Sequence, residues 1–296
     1  MFDLRYHVAS LAAVFVALAI GIFVGVGLSG EGFVNDAERA NLQARIDELS
    51  AERDAAVAQA GDADVRGEAL DDFAGAAYPE LVDGRLDGKA VGIVFVGSVD
   101  RGLAGRIRRA VGDAGGRVAL VRALRVPLDT EGVDEALAAD AELAGLAGPD
   151  GRDELGRELA DELVEGGPAP ILRRLSATLV EEQSGASSTD LDAVVVARPA
   201  RPQQGETEDF LAGLYGGLAS APLPSVGVDV RGTQRSALPA FRRQGLSTVD
   251  TIDTAMGQVA LVYLLGGARV GSYGIGHGAV DGVLPEAPPR PAPVDR

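Results

Sequence analysis

The chain contains no cysteine, a single lysine at position 89, two methionines and two histidines. Without cysteine there are no disulfides, thiolate metal sites or Cys nucleophiles, although an exported protein can be stable without disulfides, so this absence does not fix the compartment. Cationic charge is also short: 27 basic residues against 44 acidic ones leave a net charge of −17 over 296 residues. Such a balance repels phosphate backbones and anionic headgroups and argues against nucleic acid as a partner. Soft metal ions favour Cys and Met sulfur, and borderline ones accept imidazole, amide and carboxylate. Met1, Met256, His7 and His277 are scattered along the chain, so ligand spacing nominates no metal site and no cofactor.

What the chain does have is one long apolar run. Residues 8–28, VASLAAVFVALAIGIFVGVGL, carry no charge and nothing more polar than Ser10. At about 1.5 Å rise per residue, this length spans a hydrocarbon core about 30 Å thick, so residues 1–30 read as a short tail and a transmembrane anchor. A buried core helix would be shorter or carry a polar stripe. A cleaved signal peptide would have a shorter apolar core, a more basic start and an Ala-x-Ala site, none of which is present. Gly21 and Gly25 form a GxxxG, the spacing that lets two membrane helices approach closely, although glycine is common in such helices without pairing. Arg5 precedes the run and Arg39 and Arg45 follow it, so the positive-inside count does not orient it. Chain order places the short N-terminal tail in the cytoplasm and the long C-terminal part outside, in an inner-membrane, single-pass arrangement.

Residues 31–72 read as a coiled-coil stalk and hinge. Leu42, Ile46, Leu49, Arg53, Ala56 and Ala60 alternate at spacings of four and three, with charged residues elsewhere around the helix. The seam is short and interrupted by Arg53, and a solvated single helix is the alternative. Tethering beside paired membrane helices would raise its effective concentration, which predicts a parallel homodimer with Gly21, Gly25, Leu42, Ile46, Leu49 and Ala56 at the interface. Residues 61–72 contain two glycines among polar residues and read as a hinge or a frayed helix end.

From residue 73 to 284 the pattern alternates strands with helices. Residues 91–96 (VGIVFV) form a nearly continuous apolar run, as in a strand buried on both faces of a parallel sheet. A helix bearing Leu103, Ile107 and Val111 follows, then a strand at 118–121. Residues 129–189 look helical and acidic, with Asp150 as a cap, Leu155, Leu159 and Leu163 on one face, and a further helix opened by Pro168 and Pro170 that gives way to a polar loop. Strands at 192–197, 226–230, 247–250 and 271–274 are separated by helices near 210–218 and 254–265. The fold class expected is α/β: a transmembrane helix and a coiled-coil helix followed by a Rossmann-like, three-layer α/β domain. Residues 285–296, PEAPPRPAPVDR, read as a disordered proline-rich tail.

Two glycine clusters invite a chemical reading. Residues 97–102 (GSVDRG) follow the first strand, where phosphate cradles occur, but lack both the GxGxxG spacing and a Lys-Ser/Thr ending, and Asp100 would oppose a phosphate. An ordinary strand-to-helix turn is the simpler reading. Residues 271–278 (GSYGIGHG) hold His277, a candidate metal ligand or general base with Ser272 and Asp281 nearby, at spacings that match no nucleophile elbow. A turn that lets the backbone pass closely is the simpler reading here too. No catalytic constellation emerges, and the chain is expected not to be an enzyme.

The opening MFDLRYHVASLAAVFVALAIGIFVGVGL, the segment AERANLQARIDELSAERD and the late block STVDTIDTAMGQVALVYLLGGARVGSYGIGHGAVDGVLP together resemble the MctB family of actinobacterial envelope proteins. The resemblance implies a role in copper homeostasis or efflux, in one view through an outer-membrane channel. It also implies kinship with corynebacterial SteB, which is linked to a cell-division and envelope complex with SteA through a coiled coil and a Rossmann-like extracytoplasmic domain. A channel barrel needs eight or more tilted strands of about 9–11 residues with a lipid-facing band, a pattern unlike this one. No copper ligands of the family can be carried onto residues here. The resulting expectation is a membrane-anchored homodimer that acts by protein-protein interaction, with a SteA-like envelope or division partner. The alternative is a transport component that handles copper directly.

Overall fold

The computed structural model describes residues 4–29, 33–165, 167–185 and 190–290, with side chains in the first two helices described over 9–25 and from 38 onward. Contacts divide the chain into two units, at residue 69/70.

The first unit holds α1 (Leu4–Ser29) and most of α2 (Phe33–Val82). Along α1, Leu11, Val14, Phe15, Val16, Leu18, Ile20, Ile22, Phe23 and Val24 are all exposed, so its apolar side chains point outward on every side. Among the described residues no helix is long and apolar enough to cross a membrane. The run 8–28 extends at both ends past the residues whose side chains are described. Residues 61–72, expected as a hinge or a frayed helix end, lie within the helix α2, and the boundary between the two units falls among them. Gly61 and Gly67 each cost about 1 kcal/mol relative to alanine, but the stretch has no proline, and its charged side chains are compatible with an exposed helical turn.

In the second unit, β1 (Ala90–Val96), α3 (Arg101–Asp113) and β2 (Arg117–Leu124) form the first βαβ unit. Then come α4 (Thr130–Ala138), α5 (Arg152–Glu165), α6 (Pro170–Arg174), α7 (Ser176–Leu179) and β3 (Val180–Gly185). β4 (Ala193–Ala197), α8 (Glu206–Ser220), β5 (Ser225–Val228), α9 (Leu238–Arg243), β6 (Ser247–Val249), α10 (Ala255–Leu265) and β7 (Ser272–Tyr273) complete the order. One seven-stranded sheet results, ordered β3-β2-β1-β4-β5-β6-β7, parallel except for the antiparallel β2–β3 pair. The strand order reverses at β1/β4, as in doubly wound sheets.

Side chains alternate across the strands, and each face has its own core. Ile93, Phe95, Val195, Val228 and Val249 pack under α3 and α10. Val94, Val96, Leu120, Val194 and Val196 pack under α5, α8 and their neighbours on the other face. Each fully buried Val, Leu, Ile or Phe contributes about 1.5–3 kcal/mol, so these two layers dominate the stability of the unit. The α5–α8 contact depends on small residues: a Cβ on Gly217 would lie 2.6 Å from that of Ala160, and one on Gly213 would run into the Asp153 carbonyl.

Two buried guanidiniums fasten the unit, one among the helices and one at the sheet edge. Arg152, wholly buried, makes a bidentate pair with Asp134 at 2.8 and 2.9 Å and reaches Glu206 at 2.8 Å, joining α5 to α4 and α8. The hydrogen bonds from Arg152 hold the Asp134 carboxyl below the usual carboxylate range. Arg122, on β2, donates to Gln183 Oε1 at 3.2 and 3.1 Å and so ties the edge strand to the sheet. Glu162 accepts the backbone N–H groups of Ile171 and Leu172 at 2.6 and 2.9 Å, and burial pushes its carboxyl up.

Three local expectations are corrected. Asp150 lies in a 3-10 turn, Pro149–Gly151, that runs into α5. The helix expected up to the polar loop after residue 183 ends at Leu179 and is followed by β3, whose residues beyond Val180 are exposed and therefore show no apolar alternation. Of the tail expected to be disordered, residues 285–290 lie against the domain: Pro285 and Pro288 are buried, and the Pro288 carbonyl accepts from Arg85 at 2.6 Å. The remainder, 291–296, lies outside the described residues.

Candidate functional site

Parallel strands bring their carboxyl ends to one edge of the sheet, where α/β folds bind ligands. Val228 pairs with Val249, and Val249 with Tyr273, so the next residues Asp229, Asp250 and Gly274 emerge side by side. The ladder continues one step further, with Asp229 N donating to Val249 O at 2.9 Å and Asp250 N to Tyr273 O at 3.2 Å. Asp229 and Asp250 line a cavity of about 500 Å³ whose walls include Arg231, Thr233, Arg242 and His277.

Each carboxylate has a structural task. Asp229 accepts from Val230 N at 2.8 Å and Thr233 Oγ1 at 2.7 Å, folding the turn after β5. Asp253 holds Arg231 through its backbone N–H at 2.8 Å and its Nε at 3.3 Å. Asp250, 8% exposed, accepts from Gly276 N at 3.3 Å and Gly278 N at 3.1 Å. The glycines are required by this contact. A Cβ on Gly276 would lie 2.7 Å from Asp250 Oδ2, and Gly274, at φ +136°, would place one against Oδ1. The cluster at 271–278 is thus a backbone wrapped around a buried carboxylate, and Arg242 Nη1 closes it by donating to Gly278 O at 3.1 Å. His277 sits exposed on this wrap at the cavity rim.

The partners considered for His277 serve elsewhere. Ser272 is buried in β7, and its N–H donates to Asp281 Oδ2 at 2.8 Å, so this pair fixes the edge strand. Among the described residues there is no group of three or more His, Asp or Glu positioned to hold a metal ion. The cluster at 97–102 is a strand-to-helix turn: Asp100 caps α3 by accepting from Leu103 N at 2.9 Å, and a Cβ on Gly97, at φ +99°, would meet that of Ala200 at 2.8 Å.

The sequence profile of the family described as "Copper transport outer membrane protein, MctB" matches residues 1–285. The chain belongs to the MctB family. Proteins named "Copper transporter MctB" from Mycobacterium bovis and Mycobacterium tuberculosis are 27% identical to it over 340 aligned positions, covering 95% of this chain and 98% of the relative. The MctB match runs through both units, so helices and α/β domain belong to one family architecture.

The interface residues expected for this member of the MctB family lie on the two long helices. Gly21 and Gly25 are one turn apart on α1, and a Cβ on Gly21 would meet no described residue within 4 Å. On α2, Leu42, Ile46 and Leu49 are 57%, 57% and 63% exposed, and Ala56 is exposed as well. The carboxylates at the sheet edge were not singled out from the sequence, although a signal was there. Asp229 and Asp250 each end an apolar strand run, GVD and TVD, where a charged residue marks the carboxyl edge.

Proposed function

We propose that this MctB-family protein is anchored in the inner membrane by residues 8–28, with its N-terminus cytoplasmic and its α/β domain extracytoplasmic. It pairs with a second copy through Gly21, Gly25, Leu42, Ile46, Leu49 and Ala56, and acts by binding an envelope or cell-division partner of the SteA type without catalysing a reaction. Its connection with copper homeostasis comes from the family. The observation that carries the reading is the outward-facing apolar surface of α1: nine large side chains, each more than half exposed. Covering them is worth roughly 10–20 kcal/mol, a gain that a bilayer supplies and water does not. The α2 seam supports pairing in the same way on a smaller scale.

A lipid-facing barrel agrees poorly with the α/β domain. Its strands run from two residues in β7 to eight in β2, and helices cover both faces of the sheet, whereas a barrel strand needs about 9–11 residues with one face in lipid.

Because the chain has no cysteine, single introduced thiols report cleanly. The protein is expected to stay in the membrane pellet after alkaline extraction, and Leu42→Cys, Ile46→Cys and Leu49→Cys to form symmetric disulfide dimers in membranes while Glu48→Cys does not. Release into the soluble fraction would remove the anchor, and equal crosslinking at all positions would remove the seam.

Direct copper handling is the second reading, favoured by the name of the mycobacterial relatives and by His277 standing at a cavity lined by Asp229 and Asp250. Stoichiometric copper binding lost in His277→Ala would establish it in place of the first.

A further inference from the structure

A second, smaller cavity lies where Arg198 leaves the carboxyl end of β4, beside the β1/β4 reversal where doubly wound sheets place ligands. Its volume is about 240 Å³, below the roughly 300–1,000 Å³ of pockets that bury drug-sized molecules, so an occupant is small. Its lining includes the buried Tyr215 and Leu211, the half-buried Arg198 and Ala212, and the exposed Glu208, Asp209 and Arg243.

Two polar atoms of the lining residues are buried with no hydrogen-bond partner among the described residues: Arg198 Nε and the Tyr215 hydroxyl. Arg198 is otherwise oriented, its Nη2 donating to the carbonyls of Arg235 at 3.4 Å and Ser236 at 3.3 Å. Tyr215 is only 2% exposed, and its ring is held edge-on to Phe241 at 4.8 Å. Burial pushes the Tyr215 hydroxyl far above its usual range against the opposing influence of Arg198, so it is a protonated donor at neutral pH. An orphaned buried donor costs about 1–3 kcal/mol, and two on residues that line one cavity, each lying just beneath its surface, would be satisfied by an oxygen acceptor.

We infer that this cavity binds a small zwitterionic carboxylate of amino-acid size, its carboxylate accepting from Arg198 Nε and the Tyr215 hydroxyl and its ammonium facing Glu208 and Asp209. The charge arrangement selects against the alternatives. A doubly charged phosphate would meet Glu208 and Asp209, which Arg243 offsets only in part, and a simple amine would leave both buried donors unsatisfied.

The test is calorimetric titration of the full-length protein in detergent with L-alanine, acetate, ethylammonium and inorganic phosphate, with the melting temperature followed in parallel. Saturable one-site binding of L-alanine is expected, acetate binding more weakly and ethylammonium not at all. Tyr215→Phe keeps the ring against Phe241, so it should melt at or above the wild-type temperature while weakening L-alanine at least tenfold. Equal affinity in Tyr215→Phe, absence of saturable binding and of any melting shift with L-alanine and acetate, or a preference for phosphate would each overturn the assignment. A Tyr215→Phe protein that is merely more stable, with no titrant bound by either form, would mark the hydroxyl as an ordinary buried orphan.

Discussion

Asp250→Asn tests how the glycine wrap is held. The substitution preserves shape but replaces one accepting oxygen with an NH₂ group that faces a backbone N–H. Hydrogen bonds to a charged acceptor contribute about 1.5–3 kcal/mol each, and those from Gly276 and Gly278 are long, at 3.3 and 3.1 Å, which places them at the low end. Losing one and opposing two donors costs about 2 kcal/mol. If the wrap opens only locally, that figure corresponds to roughly 30-fold faster exchange of the Gly276 and Gly278 amides, with little change elsewhere. If it opens with the whole unit, the melting temperature falls by about 4–8 °C. Hydrogen exchange resolved over residues 271–282 separates the two outcomes. Asp253→Asn, at a carboxylate engaged by Arg231 instead, is the control and should leave those amides protected. Unchanged protection of both amides in Asp250→Asn would refute the pinning role, because no other change to that backbone is introduced.

Arg152→Met should destabilise the α/β unit by about 2–3 kcal/mol in denaturant titrations, less than the ~3–5 kcal/mol of a fully buried orphan, since Asp134 and Glu206 retain 35% exposure and can hydrate. The same pair sets an acid limit: the Asp134 carboxyl is depressed in the folded state, so its contribution is complete above the unfolded carboxylate value near pH 4 and is lost as the pH falls through the lower folded value. Acid unfolding of Asp134→Asn should therefore depend less on pH in that window, although the variant starts less stable. Gly217→Ala, forcing a methyl to within 2.6 Å of the Ala160 Cβ, should cost about 1–3 kcal/mol and appear as a lower thermal midpoint without loss of helix content.

Strands β1 and β4 were readable in the sequence because burial on both faces makes them continuous apolar runs, and α3 because Leu103, Ile107 and Val111 repeat at helical spacing. β3 was not, since an exposed edge strand held by backbone pairing and by Arg122 to Gln183 carries no periodic signal. α2 passes through Gly61 and Gly67 because two glycines lower helix stability without forbidding the conformation. At the candidate site the glycine cluster was visible as a close backbone approach, but the group being approached, Asp250, lies more than twenty residues earlier, and only the parallel register of β6 and β7 unites them. Tyr215 gave no signal at all: on α8 its position is fully accounted for by the apolar stripe, and its hydroxyl acquires meaning only from Arg198 across the sheet edge.

Helix α9 separates the two cavities at this edge. Leu238, Pro239 and Arg242 face the larger one, and Ala240, Arg243 and the capping Gln244 face the smaller. At six residues it is too short to bend as two independent parts, so a displacement of α9 by an occupant on one side would be felt on the other, and any resulting coupling would be equal in free energy in both directions. The short helix thus gives the two cavities at the carboxyl edge one shared wall, with the glycine wrap and His277 on one side and Arg198 on the other.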